Sequence, residues 1–407
     1  MKFPKLVSRV FGFSSSAAIL ALLSLVSIPA LISELGTTAW SGLAVGQAIG
    51  VVGSIAVAWG WGVVGPASIA RREAESQRRY YESSLVPRLI LLIPASMAIA
   101  GIAWLLPLAD HAASFLQALA IASYGAASPW YFIGRGMPKQ MFLVDTLPRV
   151  LVTLAGIAFL YLGADARIYA GLQLAGTIAV VVLTHLAIVG TQRKPAATAS
   201  AGLRRMTFRL RRQVPALSTA AVAASYLALP LIVMPTISPA AVAPFAMSDR
   251  FLKWTVTAIT PVTQVLQGWI PARDGNFRSR ALPALHFSTL FGLACGSTVT
   301  FVAPFLSSLL SHNQIQLSLW ATAGVGLMIW MTVISRVVSS AILIPLGGVR
   351  AVLHSALVGA AVGLLLLVPA TLTFGYVGAT WSIAVAEVCV TTYQLLAMRT
   401  LTRKVWR

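Results

Sequence analysis

Acidic residues are scarce. Ten Asp and Glu stand against thirty Lys and Arg in 407 residues, and charged residues of both signs make up only 10 % of the chain. A soluble globular domain carries about 25 %, so an ordinary water-facing surface is excluded. Cysteine is nearly missing: Cys295 and Cys389 both lie in apolar surroundings, which leaves them as small buried side chains and gives no disulfide framework. The five histidines, His111, His185, His286, His312 and His354, are scattered. With no HExxH and no close His/Cys group, a metal hydrolase has no support and no metal is expected. No Gly-rich loop ending in Gly-Lys-Ser/Thr occurs, so the chain does not look like an ATPase, and no cofactor is expected.

What is abundant is apolar side chain, 58 % of the total, with a mean hydropathy of +0.84. This is the composition of an all-α, polytopic membrane protein. The N-terminus, MKFPKLVSRVFGFSSSAAILALLSLVSIPALI, imitates a signal peptide. Its apolar run is long enough to span, however, and a second follows within a few residues, so it is expected to be a retained first helix. Twelve spans are predicted, near 10–33, 39–65, 85–107, 112–134, 147–164, 168–190, 215–236, 240–270, 282–308, 315–344, 350–370 and 374–398. Those at 39–65, 240–270 and 315–344 are long enough to tilt, kink or project.

Charge tests this frame independently. If both termini lie on one side, that side collects every Lys and Arg except Arg167, Arg250, Lys253 and Arg336, while the opposite connections hold Glu34, Asp110 and Asp165 with Arg167. The positive-inside rule then places both termini in the cytoplasm. The excess positive charge is topology, and no nucleic acid is expected as a partner. The longest polar stretch, Gly190 to Pro215, divides the chain into an N-terminal six-helix lobe (1–190), a basic cytoplasmic linker (191–214) suited to anionic headgroups, and a C-terminal six-helix lobe (215–407). The halves are weakly self-similar: laid together, Pro29 meets Pro230 and Arg71 falls one residue from Arg273. Repeated halves are common in secondary transporters.

Ionisable residues within spans are functional-site hypotheses, because they are costly there and face a cavity, a partner or water. PFAMSDRFLKWTVTAITP, residues 244–261, places Asp249, Arg250 and Lys253 on one helical face. Two readings stand. Either the surplus positive charge meets an anion in a cavity, or Asp249 pairs with Lys253 while Arg250 snorkels to an interface. Arg336 has no acidic neighbour within four residues, and Glu387 is its candidate distant partner or a proton-responsive carboxylate. Asp145 and Arg149 have helix-pair spacing and are read as a structural pair, or with Arg149 offered to a phosphate. Gln47 is placed by the repeat about one position from the counterpart of Asp249, as a cavity polar residue. Trp40, Trp59, Trp61, Trp130, Trp254 and Trp269 are expected at membrane interfaces, with stacking on sugar rings as the alternative.

Several motifs in this order resemble the polysaccharide flippases of the multidrug/oligosaccharidyl-lipid/polysaccharide exporter (MOP) superfamily, especially the O-antigen and exopolysaccharide transporters. They are PALISELG (29–36), WSGLAVGQ (40–47), GVVGPASIARR (62–72), SPWYFIGRGMPKQMFLVDTLPRVLVTL (128–154) and the 245–272 segment FAMSDRFLKWTVTAITPVTQVLQGWIPA. The eighth-span element reads Ser-Asp-Arg where Ala-Glu-Lys-like versions are familiar, with charge order kept. The resemblance implies a bacterial inner-membrane protein, not an enzyme, with a MATE-like V-shaped alternating-access fold. It would move an undecaprenyl-diphosphate-linked oligosaccharide across the membrane for O-antigen or exopolysaccharide synthesis. Arg250, Lys253, Arg336 and Arg149 would meet the diphosphate or an acidic glycan, and Asp249, Glu387 and Asp145 would tune charge or couple to an ion, H+ or Na+. Implied partners are the lipid-linked oligosaccharide, the phospholipid bilayer, a polysaccharide polymerase and glycosyltransferases. The rival readings are a drug or small-molecule exporter of the same fold, and a membrane polymerase or ligase, which would call for large loops on the non-cytoplasmic side.

Overall fold

A computed structural model describes residues 3–190, 203–270 and 277–405. Most of the linker (191–202), the 271–276 connection with Pro271 and Arg273, and the charges Lys2, Arg193, Lys194 and Arg407 lie outside the described residues. The described chain is helical throughout, without strands. Its helices are α1 (Phe3–Ala58), α2 (Trp61–Ala70), α3 (Ala74–Leu105), α4 (His111–Ser123), α5 (Pro129–Arg135), α6 (Pro138–Met141), α7 (Leu147–Tyr161), α8 (Ala166–Val189), α9 (Leu203–Ile237), α10 (Val242–Trp269), α11 (Phe277–Leu310), α12 (Leu319–Val337) and α13 (Val349–Val405).

Seven helices among the described residues are long and apolar enough to cross a membrane. Two of them are bent pairs. Gly36 (φ 77°, ψ 164°) divides α1 and Gly375 (φ 59°, ψ −141°) divides α13, both in backbone conformations closed to residues with a β-carbon. Counting arms gives nine of the expected spans; α4 with α5, α9 and α10 supply the other three. Helix α4 is short and α10 carries three charges, which sets them apart from the seven. Large apolar side chains such as Met97, Leu105, Phe301 and Leu365 point outward, as a lipid-facing surface requires.

Two compact units divide at Ile232/Val233, within α9 and later than the break expected at 190–215. The early part of α9 is held by the first unit. There the Trp59 indole donates to the Leu210 carbonyl at 3.0 Å, and Leu210 packs on the aromatic core of Trp61, Tyr81, Trp130, Tyr131 and Phe132. Trp40, Trp61 and Trp130 are buried, so these three are core residues and not interface anchors. The reason is local: a β-carbon at Gly65 would lie 2.6 Å from the Trp130 ring, so α2 presents a flat face that only a large planar side chain fills. The side chain of Trp269 is not among those described.

Inside each unit, helices approach through missing side chains. Along α1 the stripe Gly42, Gly46, Gly50 faces α4: a β-carbon at Gly46 would lie 2.4 Å from the Ser114 carbonyl oxygen, and one at Gly50 would lie 2.5 Å from that of Ala118. The Ser114 hydroxyl closes the contact by donating to the Gly42 carbonyl at 3.1 Å. In the second unit Gly296 of α11 and Gly326 of α12 touch backbone to backbone, and Thr322 donates to the Thr300 carbonyl at 2.8 Å. Small residues do this work because lipid supplies no hydrophobic force to drive helices together.

A completely buried cation ties the first unit together. Arg88 of α3 donates from Nε to the Ser84 carbonyl (3.0 Å) and from Nη1 to the carbonyls of Gly125, Ala126 and Ala127 (3.5, 2.9 and 2.8 Å). Its Nη2 reaches the hydroxyls of Ser84 (3.0 Å) and Ser128 (2.9 Å). The carbonyls belong to the 3₁₀ turn Tyr124–Ala126 and the residue after it, between α4 and α5. The expected span 112–134 is therefore broken, and its loose carbonyls are satisfied by a cation at a helix C-terminus. At the other end of α4, Asp110 accepts from the Ala113 amide (3.0 Å) and from Arg167 Nε (2.9 Å). Burial works to raise the Asp110 pKa, but the Ala113 amide and Arg167 outweigh it and hold the carboxyl below its usual value.

Three outcomes test this architecture in thermal unfolding of purified protein in detergent. Gly46→Ala should cost about 1–3 kcal/mol, because the new methyl meets backbone, while Gly62→Ala, with open space around it, should be neutral or slightly stabilising. Arg88→Lys should lose about 3–5 kcal/mol by leaving buried carbonyls unpaired, against less than ~0.5 kcal/mol for exposed Arg71→Lys. The Asp110 contribution is full above the ordinary Asp pKa of about 3.9 and is lost as pH falls through its lower native value. Asp110→Asn should flatten the stability profile in that acid window.

Candidate functional site

In the second unit, α10 places Ser248 in the core and turns Asp249, Arg250 and Lys253 toward its polar side. Lys253 Nζ donates to Asp249 Oδ2 at 2.5 Å, with the Asp249 side chain 11 % exposed and that of Lys253 46 %. The i,i+4 spacing has thus produced the ion pair that one of the two sequence readings named. Arg250 is half-buried and engaged in contacts of its own. Seven residues further along the helix, ~10 Å from Lys253, the Thr260 hydroxyl accepts from Arg336 Nη1 at 3.4 Å.

Arg336 belongs to the last turn of α12 and is half-buried. The helix then widens into a π turn, Val338–Leu343, where the Ser339 and Ser340 hydroxyls donate to the Arg336 carbonyl at 3.3 and 2.5 Å. Glu387, on the second arm of α13, lies within electrostatic reach of Arg336, as the sequence suggested for a distant partner. Three helices of the second unit therefore carry three cations and two carboxylates in two neighbouring groups, with a net positive charge. The arrangement can hold an anion by charge without fully sequestering it, since Lys253 remains exposed and Arg336 has a single weak hydrogen bond among the described residues.

In the first unit, Asp145 and Arg149 do not form the expected pair; no ion pair within 4 Å joins them among the described residues. Tyr124 stands between them instead. Its hydroxyl donates to Asp145 Oδ2 at 3.2 Å, and the Arg149 guanidinium lies over its ring at 4.7 Å. The cause is the π turn Phe142–Thr146 that carries Asp145. Wider than an α-helix, it leaves four residues short of a full turn, so the two side chains no longer stack. Asp145 is only 2 % exposed, and its Oδ1 has no hydrogen-bond partner among the described residues. Gln47, half-buried on the second arm of α1, makes contacts of its own.

Sequence reasoning missed Tyr124 and placed Arg88 among the topological charges. A lone Arg four residues after Ser84 inside an apolar run was the available signal for Arg88. Nothing in the sequence around Tyr124 marked it.

No family model and no curated protein sequence matches the chain. Solved structures do. The lipid II flippase MurJ, in its inward closed conformation, superposes with a TM-score of 0.71 at 12 % identity over 95 % of this chain and 87 % of that one. A eukaryotic MATE transporter, AtDTX14, gives 0.57 at 15 % identity over 98 % and 94 %. A MOP superfamily transporter from Pyrococcus furiosus, whose binding pocket is described as reversed in polarity, gives 0.56 at 15 % identity over 98 % and 96 %. At these identities the likeness speaks for the fold alone, and it runs through nearly the whole chain: this multi-pass, all-helical chain has the fold seen in MurJ and in the MATE structures.

Proposed function

We propose that the chain is a flippase for an undecaprenyl-diphosphate-linked oligosaccharide in the bacterial inner membrane, working by alternating access in O-antigen or exopolysaccharide synthesis. The observation that carries this reading is the positive cluster of Arg250, Lys253 and Arg336 inside a fold shared with a lipid II flippase. A lipid-linked diphosphate needs cations at its headgroup and a path for a polar glycan, while its tail stays in the bilayer. Arg250 and Arg336 are the first candidates for the diphosphate, Lys253 shares its charge with Asp249, and Arg149 is the candidate of the first lobe. Gln47 is assigned to the cavity wall. Asp145 and Glu387 are the candidate carboxylates for coupling to H+ or Na+. A polysaccharide polymerase and glycosyltransferases are the expected partners.

The second reading is a drug or small-molecule exporter, favoured by the match to MATE transporters. A cationic drug calls for a net acidic cavity, which the three cations of the second unit oppose.

The test is leaflet exchange in vesicles containing the purified protein and defined undecaprenyl-diphosphate oligosaccharides. The wild type should accelerate exchange. Arg250→Gln with Arg336→Gln should slow it about tenfold or more, the expected effect of losing charge-assisted contacts of ~1.5–3 kcal/mol, with the protein still folded in the membrane. No exchange of any lipid-linked glycan, together with uptake of organic cations, would move the assignment to the exporter.

A further inference from the structure

Where α13 folds back at Gly375, its two arms do not close on each other along their whole length. They touch where Gly378 meets Ala370 and where Gly359 meets Val390. Between these contacts and the start of α12 lies a cavity of about 560 Å³, bounded by Leu366, Phe374, Trp381 and Val385 of the arms and by Trp320 of α12. None of these residues belongs to the charged cluster described above.

The polar side chains that line the cavity are engaged inside the protein. The Trp381 indole donates to the Trp320 carbonyl at 2.9 Å, the buried Ser382 hydroxyl donates to the Ala379 carbonyl at 2.7 Å, and the Ser318 hydroxyl accepts from the Ala321 amide at 3.2 Å. An occupant is offered no charge and, apart from the Ser318 hydroxyl proton at the α12 end, no free side-chain donor among these groups. A sugar, a phosphate or a drug with polar groups would leave them unpaired there, whereas a hydrocarbon would lose nothing.

The cavity is also continuous with the lipid-facing surface. Trp320 and Phe374 on its rim are 73 % and 72 % exposed, and the neighbouring Leu365 and Leu372 are 76 % and 68 % exposed. Its depth matches a single leaflet. Leu366 and Val385 lie nine and ten residues from the Gly375 turn, ~13–15 Å along the helices, against a half-thickness of ~15 Å for the hydrocarbon core. Tryptophans near the turn stand where indoles sit at the headgroup level. The volume lies within the ~300–1,000 Å³ typical of ligand pockets.

We infer that this cavity is a lipid site that takes one acyl chain of a phospholipid from the leaflet on the Gly375 side, filling the gap between the arms of α13 and the start of α12. The chain serves as a wedge: it packs beside the close Ala370–Gly378 contact and against the start of α12, and so braces the bend.

Protein reconstituted in phospholipid vesicles containing a trace of phospholipid with a mid-chain diazirine tests this by photolabelling. Label should be severalfold enriched on Phe374, Val377 and Val385 over the plainly lipid-facing Leu365 and Leu372. Ala370→Trp, which fills the cavity, should abolish the enrichment and leave Leu365 and Leu372 labelled as before; Val385→Phe fills it from the opposite wall if the first variant does not fold. Groove labelling no greater than that of Leu365, or unchanged in the folded filled variant, would overturn the site. Displacement of the label by a small fraction of undecaprenyl phosphate would overturn the acyl-chain assignment and give the cavity to an isoprenoid.

Discussion

The contact on which the first unit depends is the bond between the Arg88 guanidinium and the carbonyls that end α4. A membrane-spanning chain cannot hand loose backbone groups to water, so every break in a helix must be satisfied by something inside the protein. Here the break between α4 and α5 leaves three consecutive carbonyls, and a single five-donor fork gathers them. Lysine could not do so, because its point-like ammonium cannot span three acceptors in fixed geometry. Trp130 then lies under the same guanidinium at 5.5 Å and in turn fills the flat face of Gly65. One arginine thus sets the turn, the turn aims α5, and α5 places the aromatic core.

The same constraint explains which parts of the fold could be read from sequence. Length and apolarity locate the spans, and alternation of charge fixes their number, because both properties are local or statistical. The bend at Gly36 falls in the gap expected between 33 and 39, and that at Gly375 within a residue of the gap expected between 370 and 374, so both breaks were legible and only the backbone angles that make them were not. The interruptions at Trp59–Gly60 and at Tyr124–Ser128 fall inside stretches that read as unbroken spans. The second exists because Arg88, from another helix, donates to the exposed carbonyls, a fact with no local signature. The late boundary at Ile232/Val233 has a like origin, since one indole and one leucine hold the start of α9.

The candidate site divides along the same line. Asp249 and Lys253 were legible as a pair because four residues of regular α-helix bring them together, and α10 is regular there. Asp145 and Arg149 have the same spacing and do not pair, because a π turn lies beneath them. Spacing rules carry an assumption about helical pitch, and π turns remove it. Arg336 to Thr260 and Glu387 are contacts between helices, so the sequence supplied the residues and only packing supplied the neighbours.

Arg88 and Arg336 show two ways in which the helices house a cation. Arg within a span is costly, by up to roughly 2.5–3.5 kcal/mol on insertion scales where it lies at the centre. Arg88 offsets that cost with six hydrogen bonds and complete burial. Among the described residues Arg336 has one, at 3.4 Å, with a carboxylate in electrostatic reach but no ion pair within 4 Å. Its donors are aimed but underused, and it stays half-buried beside a cluster that already carries more positive than negative charge. Among the described residues, then, Arg336 and Arg88 differ less in charge than in how far the protein satisfies it.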